Sequence, residues 1–85
     1  MKKPKKQKPK VITPNSLIVD YGLKRVIMPH RVSLMLFYDH ELLEIDKWCQ
    51  KTFATDTWKR SGIFPGYIHF VHAKDATMFT LKWAK

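Results

Sequence analysis

"DHELLEIDKWCQKTFA", residues 39–54, decides the fold. Its apolar side chains Leu42, Ile45, Cys49 and Phe53 recur at i, i+3, i+7 and i+11, one stripe of an α-helix. Glu44, Lys47 and Lys51 fall away from that stripe, as a solvent face requires. Asp39 stands where a helix N-cap is expected, and Glu41 lies in the first turn, where the helix dipole favours an acid. The spacing predicts a helix over about 40–54 that packs its stripe on a neighbouring sheet.

The flanks supply strands for that sheet. Just upstream, Val32 to Tyr38 of "RVSLMLFY" is apolar at nearly every position and rich in strand formers. It reads as a central strand with both faces at least partly covered. Further back, "SLIVDYG" reads as a short strand ended by Gly22, followed by "LKRVIM" and the Pro29-His30 break. Downstream, "TWKRSG" is a weaker strand, "GIFPG" a turn, and "YIHFVH" a strand of β-branched and aromatic residues. "AKDATMFTLKWAK" has two readings. As a helix capped at Asp75 it aligns Ala76, Phe79 and Trp83; as a strand it puts Phe79, Leu81 and Trp83 on one face. The Asp cap, the alanines and the terminal lysines tip the balance to the helix. The resulting fold class is α+β, a small βαββα domain of split βαβ, ferredoxin-like order, with room for one or two strands ahead.

Two stretches carry a family resemblance. The helix holds an aromatic–Cys pair, Trp48 and Cys49, and the C-terminal part reads F-x(4)-D-A-x-x-F-x-L-x-W. Those positions are Phe70, Asp75, Ala76, Phe79, Leu81 and Trp83. Over residues 32–84 the chain resembles a group of small uncharacterised proteins encoded by tailed phages. The resemblance implies a βαββα fold and a phage accessory role in the cytoplasm of an infected cell. It carries over no catalytic position.

The chain has 85 residues, of which 45% are hydrophobic and eleven are aromatic, enough for one small domain with a real core. A lone cysteine, Cys49, excludes an intrachain disulfide framework and fits a reducing, intracellular setting. No apolar run approaches the ~18 residues of a membrane span, and the charged N-terminus lacks the apolar segment of a signal peptide.

The net charge of +9 is unevenly placed. "MKKPKKQKPK" holds Lys2, Lys3, Lys5, Lys6, Lys8 and Lys10, so +6 falls within residues 1–10. Sixteen basic side chains less those six leave ten against seven acids over the other 75 residues. Pro4, Pro9 and Pro14, with the mutual repulsion of the lysines, predict a disordered arm over 1–15 ahead of a domain over 16–85. A flexible polycation condenses on phosphate backbones by releasing counterions, so nucleic acid is the favoured partner. A solubilising tail, or contact with an acidic protein, is the competing reading. Membrane contact ranks last because no apolar anchor accompanies the charge in the sequence.

Within the domain, Lys59 and Arg60 beside Trp58 are the secondary nucleic-acid candidates, with Lys24, Arg25 and Arg31 able to widen a basic patch. Trp58 read as a core residue, with charges guarding a sheet edge, is the plain alternative. "GYIHFVH" invites comparison with the RNA-binding strand that stacks bases on alternate aromatics. The register fails, since Tyr67 and Phe70 are three apart and face opposite ways. His30, His40, His69, His72 and Cys49 show no zinc-site spacing, so neither metal nor cofactor is expected. Cys49 on the helix stripe reads as a small apolar residue. Glu41, Glu44 and Asp46 read as the polar side of a helix rather than paired catalytic carboxylates. The reading is therefore non-enzymatic. A module that docks on a host or virion protein, through a sheet edge or Trp48 and Trp58, is the second functional reading.

Overall fold

The computed structural model describes residues 15–84. The predicted arm disorder and Lys2, Lys3, Lys5, Lys6, Lys8 and Lys10 lie outside the described residues. The described residues form a mixed α+β fold with two helices and two sheets. Strands β1 (Leu17–Tyr21) and β2 (Lys24–Met28) form an antiparallel hairpin in which Tyr21 faces Lys24. Two residues close it, and Gly22 at φ 72° takes the positive dihedral that such tight turns need. The hairpin is tied to the body by Lys24 Nζ, 2.5 Å from Asp56 Oδ2. That hydrogen bond and charge hold the Asp56 carboxyl below the usual carboxylate range.

Next come β3 (His30–Ser33), α1 (Asp39–Thr52), a 3-10 turn (Thr55–Thr57), β4 (Trp58–Ser61), β5 (Tyr67–Phe70) and α2 (Ala73–Trp83). The second sheet has the order β3-β5-β4, with β5 antiparallel to both neighbours. β3 and β4 therefore run parallel, connected through α1, with β5 inserted between them.

Three local expectations are corrected. The run 32–38 is not the central strand; β5 holds that position and β3 is an edge. Pairing stops because the chain turns: Leu34 N–H donates to Gly66 O at 3.0 Å, and Phe37 N–H donates back to Leu34 O at 3.2 Å. The Ser33 hydroxyl takes the Met35 N–H at 3.3 Å. Asp39 is not the cap of α1 but its first residue; Tyr38 is the cap, and its N–H donates to Glu41 Oε1 at 2.8 Å. The C-terminal stretch is a helix, as favoured, but it starts at Ala73 behind His72, which leaves Asp75 in the first turn rather than at the cap.

The core joins both helices to the second sheet. Leu42, Ile45 and Cys49 of α1, Phe53 after it, Ile68 and Phe70 of β5, Phe79 of α2 and Leu34 form one buried cluster. Removing each large apolar side chain from water stabilises the fold by about 1.5–3 kcal/mol. Its aromatics meet edge to face, Phe53 with Phe70 at 5.2 Å and Trp48 with Phe53 at 5.4 Å. Trp48 and Trp58, expected as docking aromatics in the second functional reading, pack against this cluster instead. Burial, helped by Asp46, pushes the Cys49 thiol up to about 12, so it stays protonated and unreactive at neutral pH.

Candidate nucleic-acid interface

The two rows of the three-stranded sheet set up the site. Side chains alternate along each strand, and Ile68 and Phe70 point into the helices. Tyr67 and His69 therefore face the other way. The register places Arg31 and Lys59 on either side of His69, and Ser33 and Ser61 on either side of Tyr67. Partners across a ladder share a face. The outer face thus carries the row Arg31–His69–Lys59 beside the row Ser33–Tyr67–Ser61. Arg31 and Lys59 are two strand spacings apart, roughly 10 Å. None of the seven acidic side chains of the chain lies in these three strands.

Each member is held in a definite way. The Arg31 guanidinium lies 4.1 Å from the centre of the Tyr67 ring, a cation–π contact. Ser61 Oγ and His69 Nε2 share a hydrogen bond at 2.6 Å. His69 is only 4% exposed. Burial first, then the Arg31 charge, lower its pKa from the ordinary 6.5, against a smaller opposing effect from a backbone group of Asn15. At neutral pH the positive charge of the row therefore belongs to Arg31 and Lys59, and His69 is a neutral hydrogen-bonding group between them. Asn15, the first described residue, lies beside His69.

Lowering the pKa of His69 makes stability depend on pH in one direction. The unfolded chain takes up this proton at a higher pH than the folded one, so the contribution is complete above about 6.5 and is lost as pH falls below it. Urea titrations of the wild-type protein are expected to lose midpoint between pH 7 and pH 5. His69→Gln, which keeps a hydrogen-bonding end, should flatten that fall; an unchanged pH profile in the variant would sink the assignment.

Lys59 and Arg60, adjacent in sequence, are separated by the sheet. Lys59 is exposed on the outer face. Arg60 points to the helix side, where Nη1 donates to Asp46 Oδ1 at 3.0 Å and Oδ2 at 2.8 Å. Its charge is met by α1. Beyond the outer edge of β4 lies an open cleft of about 480 Å³ whose lining includes Gln50, Trp58, Lys59, Arg60, Ser61 and Phe64. The Phe64 ring, 61% exposed, sits 5.9 Å from the Arg60 guanidinium. Of the wider basic patch, Lys24 is bound to Asp56 and Arg25 is 3.9 Å from Asp20, leaving Arg31 as its member on the sheet.

The sequence reading weighed Arg31 only as a neighbour and missed its pairing with Lys59 across His69. The cations in the second positions of two four-residue strands were the available signal, and only the register joins them. Among the described residues no group of three or more His, Cys, Asp or Glu side chains is arranged to hold a metal ion, and no helix is long and apolar enough to cross a membrane. No protein-family model matches the chain, and comparison with curated proteins and with solved structures finds no match.

Proposed function

We propose that this protein is a non-enzymatic, nucleic-acid-binding accessory protein of a tailed phage that grips phosphates with little regard to sequence. The observation that carries the reading is the acid-free sheet, whose outer face sets Arg31 and Lys59 across the central strand. A sheet face meant for a second apolar layer would carry leucines and valines; this one carries two cations, two hydroxyls and the rings of Tyr67 and His69. Lys2, Lys3, Lys5, Lys6, Lys8 and Lys10 add six charges from the sequence ahead of the described residues, and Lys59 with Arg31 forms the part on the sheet. Arg60, paired with Asp46, acts in the β4 cleft rather than as a free phosphate contact. The phage setting rests on the sequence pattern through Trp48, Cys49 and residues 70–83. For the fold, the insertion of β5 between two parallel strands joined by α1 supports the ferredoxin-like, split βαβ arrangement.

Salt-titrated binding to a DNA duplex tests the reading. Each phosphate contact contributes a log–log slope of about −0.9, so full engagement of six lysines gives about −5. Removing residues 1–10 should take most of that slope away, and Lys59→Glu in the shortened chain should weaken what remains. Equal, weak binding by the full and shortened chains would end the proposal. The second reading, docking on a host or virion protein, is favoured by the outer edges of β3 and β4, which are unpaired among the described residues. Partners retained from a host lysate after nuclease treatment, and lost on changing those edges, would support it.

A further inference from the structure

The three-stranded sheet ends in two side-by-side connections, 34–38 after β3 and 62–66 before β5, joined by the Leu34–Gly66 hydrogen bond. Their tips are apolar and exposed: Met35 and Leu36 at 72% and 76%, Ile63 and Phe64 at 93% and 61%. Large apolar side chains left in water at one place mark a contact surface. The 62–66 tip also closes one end of the β4 cleft, where Phe64 offers an aromatic face.

The lining of that cleft is chemically mixed in a particular way. Phe64 supplies a flat apolar surface. Gln50 offers both a donor and an acceptor. Arg60 presents a guanidinium plane fixed by Asp46, with nitrogen donors to spare beyond the one that Asp46 uses. Trp58 adds apolar ring surface to the lining, with its indole N–H buried away from the open cleft. Lys59 lies at the boundary between cleft and outer face, as a charge for a phosphate. A flat ring whose edge bears donors and acceptors, attached to an anionic backbone, matches each of these features. An unpaired nucleotide is such a ligand. A duplex keeps its bases stacked inside and shows mainly phosphates, so it would leave the cleft empty. A lipid surface would meet the whole end of the sheet, including the acidic start of α1 at Asp39 and Glu41.

We propose that the β4 cleft takes an unpaired nucleobase stacked on Phe64, with Lys59 on the adjoining phosphate. The protein then prefers single-stranded nucleic acid to duplex. This rests on the nucleic-acid reading and specifies its ligand.

Anisotropy of labelled 15-mers, single-stranded as DNA and as RNA and duplex of the same sequence, tests it with the full chain. Single strands should bind more tightly than the duplex. Phe64→Ala should weaken single-strand binding about tenfold, in the range for one base–aromatic stack, and leave duplex binding within about twofold. Phe64→Tyr, which keeps the ring, should restore it, and circular dichroism should show all three proteins folded alike. Equal affinity for single strand and duplex, or an equal loss for both on Phe64→Ala, overturns this inference while the phosphate-binding reading stands. No binding to any oligonucleotide at low salt removes both. Recruitment to anionic phospholipid vesicles that Phe64→Ala abolishes, with oligonucleotide binding untouched, overturns it in favour of a lipid surface.

Discussion

Phe70→Ala is expected to destabilise the fold by about 3–5 kcal/mol, the range for emptying a buried aromatic site. Phe70 is fully buried in the central strand, with Phe53 at 5.2 Å and Phe79 at 5.7 Å. Its ring links the end of α1 to α2, so no single neighbour can collapse into the gap without leaving another contact. Small domains have about 5–15 kcal/mol in total, and one of this size sits near the lower end. The variant should therefore be largely unfolded at 37 °C. Urea unfolding followed by tryptophan fluorescence measures this directly, and a loss below about 1 kcal/mol would show that the core does not depend on this ring.

The second large effect is expected at Gly66, and Gly22 provides its control. Both glycines have positive φ, 69° and 72°, where a side chain costs about 1–2 kcal/mol in backbone strain. At Gly22 an added Cβ meets nothing within 4 Å, so Gly22→Ala should cost only that strain. At Gly66 the added Cβ would come to 2.1 Å from the Ser61 carbonyl oxygen. No side-chain rotation relieves a clash with backbone, so β4 or β5 must move. The Leu34 N–H would also lose alignment with its acceptor on Gly66. Gly66→Ala should cost about 3–5 kcal/mol, in the exceptional tail of single substitutions. Because Phe64 rides on the same loop, any folded remainder should also lose the single-strand preference proposed above. Equal destabilisation by the two alanine variants would refute the steric account.

Periodicity reveals the elements whose burial it reflects. The stripe Leu42, Ile45, Cys49 and Phe53 is legible because a helix with one buried face must repeat at this spacing, and all four are buried. Ala76, Phe79 and Trp83 likewise mark α2, although Thr77 and Thr80 made a strand a fair rival until packing decided. The run 32–38 misleads for the opposite reason. Its apolar residues are not all interior: Leu34 is fully buried while Met35 and Leu36 beside it are among the most exposed side chains. Composition does not distinguish an apolar residue that packs from one that protrudes. The candidate site was less legible still. Lys59 and Arg60 are adjacent in sequence, yet one faces outward and the other binds Asp46, a partner fourteen residues away. The pairing of Arg31 with Lys59 depends on two registers against β5, and register is a property of the assembled sheet.

Among the described residues, both outer strands of that sheet have one neighbour each, and an unpaired strand edge tends to recruit another. Here each edge bears a cation, Arg31 on β3 and Lys59 on β4. Two copies approaching side by side would bring like charges to about a strand spacing of each other, which opposes fibre-like growth. A bound polyanion screens those charges. On a nucleic-acid strand the obstacle to lateral contact would fall, so neighbouring copies could join along it while free copies remain apart. Under the proposed function, binding is then expected to steepen with protein concentration.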